Sequence, residues 1–156
     1  MRTIKRTAAS EPVVKKVAGT SHPLTGQPIF STYRDLLCFC TVLGFENEAR
    51  KPLEGDLVDF VDGRIFSNHE LSIDLLYLIA LAETRDMFIL RDSNEDKQIQ
   101  ILEEYANGGL EVLSDWLKDK PEDVHGDDAI ISALASRGYL GVQGASPQDA
   151  TESVTF

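Results

Sequence analysis

The chain has 156 residues, a hydrophobic fraction of 42% and a formal net charge of −11, which fit one globular domain with some disordered margin. The charge is uneven, because residues 1–20 carry five Lys and Arg against one Glu, which leaves −15 for the rest. Nucleic-acid phosphates repel such an acidic body, so direct DNA binding by the folded part is disfavoured unless a local basic patch overrides the average.

The cysteine content and the hydropathy pattern indicate a compartment. Cys38 and Cys40 point about 200° apart on a predicted helix and cannot form a disulfide bond with each other. No apolar signal segment follows Met1, and no stretch reaches the roughly 20 apolar residues that cross a bilayer. A reducing cytoplasm is therefore expected, and no membrane partner.

The first 27 residues mix Lys and Arg with small and polar residues and contain one short apolar patch, from Val13 to Val17. We interpret residues 1–27 as a basic flexible leader. It could be an electrostatic arm that contacts nucleic acid or an acidic partner, or a solvated tail without a role of its own.

The first core helix is predicted over residues 33–43. Thr32 and Asp35 have the spacing of a capping box, and Gly44 stands where a glycine commonly ends a helix. A polar loop that contains Arg50 and Lys51 should follow it.

A β hairpin is predicted next, because residues 57–61 and 64–66 are rich in β-prone residues and flank an Asp-Gly pair that suits a tight turn. A two-stranded ribbon is marginal alone, so it should lie on the helices. Asp59 and Asp62 alternate with apolar residues on this extended segment. We therefore interpret them as a solvated strand face rather than as Ca²⁺ ligands.

Residues 71–82, LSIDLLYLIALA, predict the central helix, because a helix that is apolar nearly all round is typically buried. Asp74 within it should pair with Arg34 or Arg85, or face the one wet edge. If Leu78 is buried, Leu78→Asp should prevent folding. The side chains expected to be buried are Phe39, Leu75, Leu76, Leu78, Ile79, Leu102, Tyr105 and Trp116.

A further helix is predicted to begin at the capping signature of Ser93 and Asp96. Its pattern contains Gly108 and Gly109. Two glycines in a helical pattern mark either a helix end and restart or a place where two backbones approach closely. A phosphate-binding loop is disfavoured, since no strand precedes the glycines and no Lys-Ser or Lys-Thr follows them.

Residues 119–156 are interpreted as an acidic, largely disordered tail in which residues 127–137 could form one short amphipathic helix. Residues 141–156 are rich in Gly, Ser, Thr, Gln and Asp, and disorder is expected there. The sequence therefore predicts a mainly α fold, with a small helical core domain over residues 28–118 and an inserted two-stranded β hairpin.

No catalytic, cofactor-binding or metal-binding constellation is expected. The three histidines, at positions 22, 69 and 125, do not cluster in the sequence as zinc ligands do. An enzyme would have to use Asp59, Asp62 and Glu104 as metal ligands, with Arg50 or Lys51 on a phosphate. Nothing in their spacing requires this.

Four segments carry a resemblance to a known family, namely YRDLLCFCTVLGF at 33–45, RKPL at 50–53, DLLYLIALAETRDMFILR at 74–91 and ILEEYANGGLEVL at 101–113. With these segments in this order over residues 30–118, the chain resembles the DNA phosphorothioation-associated protein 4 family, also called dnd system-associated protein 4. The leader and the extension after residue 118 are interpreted as additions to the family's core.

The resemblance implies a small accessory protein of bacterial systems that place sulfur in the DNA backbone and restrict DNA without that mark, and hence a role in anti-phage defence. It implies no catalytic residues. It suggests one shared surface or structural signature, composed of Arg50, Lys51, Glu103, Glu104, Asn107, Gly108 and Gly109.

We expect a non-enzymatic interaction subunit that needs no cofactor and docks on a larger, more basic protein of such a system, with any DNA contact made indirectly. One alternative is a DNA-contacting regulatory module that uses the basic leader with Arg50 and Lys51 as phosphate contacts. Another is an acidic mimic of DNA that inhibits a nuclease.

Overall fold

The computed structural model describes residues 1–141, where helices dominate over two short strands. In chain order the elements are β1 (Ile4–Thr7), α1 (Glu11–Ala18), α2 (Tyr33–Glu46), β2 (Leu57–Val61), α3 (Gly63–Ser67), α4 (Glu70–Thr84), α5 (Glu95–Lys118) and α6 (Asp127–Ser136). Short 3₁₀ turns lie at Ala8–Ser10, Met87–Leu90 and Asp92–Asn94. The expected mainly α fold with a two-stranded antiparallel β element is confirmed.

The helix at the centre of this fold is α5, which spans 24 residues and packs against α2, α4, α6 and β1. Every residue from 101 to 110 is buried. The prediction that residues 71–82 form the central helix is wrong. Helix α4 forms there, but it buries only one face, because a single side of it packs on α5 and on the 3₁₀ turn Met87–Leu90.

The core side chains follow this arrangement. Leu78, which was expected to be buried, is 64% exposed, so that prediction is wrong. Leu75 and Phe39 are half-buried, each packed against the edge of a core cluster. The other expected core residues are all buried, namely Leu76, Ile79, Leu102, Tyr105 and Trp116.

Helices α2 and α5 cross with their backbones in close contact. A Cβ atom added to Gly109 would lie 1.8 Å from the carbonyl oxygen of Cys40, and one added to Gly44 would lie 2.0 Å from that of Tyr105. Gly44 therefore lies inside α2 rather than ending it, which corrects the predicted helix boundary. Helix α5 runs without interruption through both of its glycines, so the close-approach interpretation is confirmed.

The segment expected to be a flexible leader is folded, which corrects that prediction. Ile4, Val14 and Val17 are fully buried in the main core cluster. The apolar patch between Val13 and Val17 is one face of α1, and Pro12 occupies the first turn, where the missing amide proton costs nothing. The charged and small residues of this segment suggested disorder, although the segment contains a strand and a helix.

The β element is not the predicted local hairpin. Strand β2 pairs antiparallel with β1, in a register that places Ile4 opposite Val61. Asp62 accepts a hydrogen bond from the amide of Arg64 at 2.8 Å and so caps α3, which makes residues 64–66 helical rather than a strand. The partner strand lies more than fifty residues upstream, where a local turn signal carries no information about it.

The carboxyl-terminal part of the described chain continues the same core. Helix α6 lies within the predicted 127–137 segment, and its Ala129 and Ile130 are buried in the cluster that also contains Ile4. The core therefore extends on both sides of the expected 28–118 unit. The disorder expected for residues 141–156 falls outside the described residues except at position 141. Across residues 1–141, no helix is long and apolar enough to cross a membrane.

Candidate interaction surfaces

The RKPL loop lies directly on helix α5. The backbone amide of Lys51 donates to the carbonyl oxygen of Glu104 at 3.0 Å. The side-chain amide of Asn107 donates in return to the carbonyl oxygens of Lys51 and Pro52, at 3.2 and 3.1 Å. These bonds satisfy backbone groups on both sides of the contact and fix the position of the loop.

The loop can approach so closely because the helix has glycine there. A Cβ atom on Gly108 would lie 1.5 Å from the carbonyl oxygen of Ala49. Gly108 therefore accommodates the loop, while Gly109, its neighbour, accommodates α2. The two glycines serve two different contacts of the same helix.

Arg50 joins the loop to two helices. Its Nε donates to Glu104 Oε2 at 2.5 Å, and its Nη1 donates to Glu83 Oε1 at 2.6 Å. Glu83 also accepts a hydrogen bond from the hydroxyl of Tyr105, which lowers the pKa of that carboxyl. Burial, with this hydrogen bond, raises the pKa of Tyr105 to about 12. The charge-assisted bonds of Arg50 to Glu83 and Glu104 therefore connect the loop to both α4 and α5.

Glu103 holds the amino-terminal strand against the same helix. Its side chain is 8% exposed, and it accepts bonds from Arg2 Nη1 and Nη2 at 2.6 and 2.9 Å. It also accepts a bond from the backbone amide of Lys5 at 2.7 Å. The hydrogen bond to Glu103 raises the pKa of Arg2, although burial opposes this effect. Glu103 thus occupies the outer edge of β1, where a further strand would otherwise bond.

All seven residues proposed from the sequence as a signature therefore lie along α5 or in the loop on it. Their polar groups are used within the fold, and Lys51 also pairs with Glu111. The arrangement favours the structural interpretation of the signature over the surface interpretation. It does not favour phosphate binding by Arg50, because the guanidinium group already bonds the carboxylates of Glu83 and Glu104.

The carboxylates that an enzyme would need do not converge. Asp59 pairs with Lys5 at 2.5 Å, and Asp62 caps α3, where its hydrogen bonds with Arg64 lower the pKa of Asp62 to about 2. Glu104 lies on α5 with Arg50. In residues 1–141, no group of three or more His, Cys, Asp or Glu side chains is placed to hold a metal ion.

A second surface, which sequence reasoning missed, is the outer face of α4. Leu71 is 70% exposed and Leu78 is 64% exposed, and the half-buried Leu75 lies between them. Asp74 is exposed beside them and pairs with neither Arg34 nor Arg85 within the described chain, so it faces the wet edge. The sequence did contain a signal for this surface, because α4 is apolar nearly all round and such a helix is typically covered on more than one side. The fold covers one side, which leaves the other apolar side exposed.

These features define a small, mainly α protein in which Arg2, Arg50 and Lys51 pair with acids of one long helix. Within the described residues, a leucine-rich face of α4 is left uncovered. The chain belongs to the family of DNA sulphur modification system-associated protein 4, whose model matches residues 3–141. No curated protein and no solved structure matches the chain.

The family match confirms the resemblance drawn from the sequence and corrects its extent. It reaches from β1 to beyond α6, so the leader and the extension after residue 118 are part of the family's domain rather than additions to it. This agrees with the burial of Ile4 and Ile130 in one core cluster.

Proposed function

We propose that this protein is a non-enzymatic interaction subunit of a bacterial DNA sulphur modification and restriction system, where it docks on a larger and more basic protein. The single observation that carries the proposal is the uncovered leucine face of α4 on a chain of net charge −11. The family description, which names association with such a system, supports the setting. On this proposal the protein acts in the cytoplasm and contributes to anti-phage defence.

The apolar face gives a physical reason to associate. Burial of apolar surface contributes about 25 cal/mol of favourable free energy for each Å² removed from water. Helix α4 exposes most of the side chains of Leu71 and Leu78 to solvent. Large exposed apolar patches commonly mark interaction sites. The negative charge would speed the encounter with a basic partner and disfavour acidic ones, so association should weaken as salt is added.

The DNA-contacting alternative receives less support from the contacts of the basic residues. Arg2, Lys5 and Arg6 of the former leader pair with Glu103, Asp59 and Glu11 respectively. Using them as phosphate contacts would require breaking bonds that hold β1 and α1 in place. The nuclease-inhibitor alternative would use charge alone and gives the leucine face no role.

The test is affinity purification of the tagged full chain from its native host, with and without nuclease treatment, followed by mass spectrometry. We expect a protein encoded with the DNA sulphur modification system to be recovered in both cases and to be lost progressively at high salt. Recovery that disappears with nuclease would make DNA the bridge and contradict the proposal. Failure to retain any protein of the system would also contradict it.

A further inference from the structure

The exposed face of α4 has the spacing of a helix-packing seam. Leu71, Leu75, Leu78 and Ala82 are separated by four, three and four residues and fall within about 60° of the helix circumference. This is the spacing with which two helices interlock side chains along a coiled-coil contact. The stripe is about 16 Å long, or three helical turns.

Within residues 1–141 the fold uses this seam only at Leu75, which packs half-buried against the smaller core cluster. The face of α4 that packs on the protein core is formed by Ser72, Leu76, Ile79 and Ala80, and it lies about 110° around the helix from the seam. Leu71 and Leu78 are therefore not required by the described core, although they lie on a helix that is well anchored by the other face.

The charges beside the seam restrict what can cover it. Glu70 and Asp74 are exposed along its solvent-facing edge, and neither forms an ion pair within residues 1–141. The third acid of α4, Glu83, is already bound to Arg50. The helix contains no Lys or Arg from position 70 to 84, so its edge carries uncompensated negative charge.

We propose that α4 receives an amphipathic helix of the partner protein, with an apolar stripe that packs on Leu71 and Leu78 and Lys or Arg residues that face Glu70 and Asp74. This inference rests on the proposed function and names the surface and the partner element. In helix-in-groove recognition, the apolar contacts supply affinity and the flanking charges select the partner.

A second copy of this chain fits the surface less well. The α4 helix of a second copy would offer no cation to Glu70 or Asp74, and two bodies of net charge −11 repel each other. A membrane surface is disfavoured for the same reason, because anionic lipid head groups attract basic faces. Charge complementarity therefore favours a basic helix of another protein.

The first arm of the test is photo-crosslinking in host cells, with the photoreactive residue placed at position 78 of the full chain, or at position 131 as the control. Ile131 is also an exposed apolar residue on a helix, α6, at 53% exposure. We expect a cross-link from position 78 alone, mapped to a helical segment with Lys or Arg beside an apolar stripe. A cross-link to a second copy of the chain, or to a segment without such a pattern, would overturn the inference.

The second arm measures the affinity of the cross-linked protein, once purified, for matched variants. Leu78→Gln should raise Kd about tenfold, because it removes apolar contact but keeps helix propensity. Ile131→Gln should leave Kd unchanged. Asp74→Lys should raise Kd about fivefold or more, whereas Glu122→Lys, with the same change of net charge in an exposed loop, should have an effect below about twofold.

The two proposals fail in different ways. If the wild-type chain binds a protein of the system but Leu78→Gln and Asp74→Lys bind as tightly as their controls, the α4 seam is not the site and the docking role stands. If the wild-type chain binds no such protein, the docking role itself fails. Equal effects of Asp74→Lys and Glu122→Lys would mean that only net charge matters, which also overturns the seam.

Discussion

Gly109→Ala tests the contact on which the whole fold depends. The added Cβ would lie 1.8 Å from the carbonyl oxygen of Cys40, 2.6 Å from its carbonyl carbon and 2.9 Å from its Cα. All three atoms belong to the backbone, so no side chain can rotate away. Helices α2 and α5 would have to separate by more than about 1 Å to restore ordinary contact distances.

The expected change in the free energy of unfolding of Gly109→Ala is the difference between two opposing effects. Forcing an extra methyl group into a close-packed contact costs about 3 kcal/mol at the upper end of the usual range. Replacing glycine with alanine inside a helix gains about 1 kcal/mol. The net loss in unfolding free energy should therefore be about 2 kcal/mol, and the melting temperature should fall by about 5 °C or more.

The assay is urea denaturation followed by the fluorescence of Trp116, which is the only tryptophan and is buried on α5. Lys97→Ala, at an exposed position of the same helix, is the control and should change stability by less than about 0.5 kcal/mol. A Gly109→Ala variant as stable as the wild type, or more so, would refute the close-contact account of α2 and α5.

Three further outcomes follow from the contacts. Glu103→Gln should lower the unfolding free energy by about 1–2 kcal/mol in chemical denaturation, because it leaves charge-assisted bonds to the amino-terminal strand without their anion. Leu78→Gln should change stability by less than about 0.5 kcal/mol, whereas Leu76→Gln, at a fully buried position, should cost several kcal/mol or prevent folding. The hydrogen bond from Tyr105 lowers the pKa of Glu83 from its usual 4.5, so the stabilisation by that charge is present above pH 4.5 and lost as pH falls through the lowered value. A Glu83→Gln variant should accordingly lose less stability than the wild type on acidification below pH 4.5 in thermal denaturation.

The sequence predicted best where periodicity and capping agree. Thr32 caps α2 by accepting a bond from the amide of Asp35 at 3.1 Å, as the capping box indicates, and Leu102, Tyr105 and Trp116 of α5 are buried as expected. The predicted cap at Ser93 is wrong, because α5 begins at Glu95 after Asn94 and has no side-chain cap. These signals are local, and local hydrogen bonds determine them. The mainly α class followed from them directly.

The sequence predicted least where distant segments meet. The pairing of Ile4 with Val61 and the bonds of Arg2 to Glu103 join residues that are far apart in the chain, and nothing in the local pattern of either segment identifies the other. The nearly continuous apolar residues of α4 indicated burial all round the helix, which is wrong for Leu71 and Leu78. They could not indicate that half of this surface, including Leu78, would face outward.

The same limit applies to the candidate site. The residues from Arg50 to Gly109 were grouped by resemblance, and the structure brings them together, but as bonds within the fold. Whether a charged residue is paired depends on its neighbours in space, which composition does not reveal. The exposed seam on α4 became visible only once the covered face was known.

The most direct test of the docking account compares the wild-type chain with Leu78→Gln in nuclease-treated affinity purification from the native host, at matched protein levels. The account predicts that the wild type retains a protein of the DNA sulphur modification system and that the variant, although folded, loses most of it. Equal retention by the two chains would contradict docking through α4.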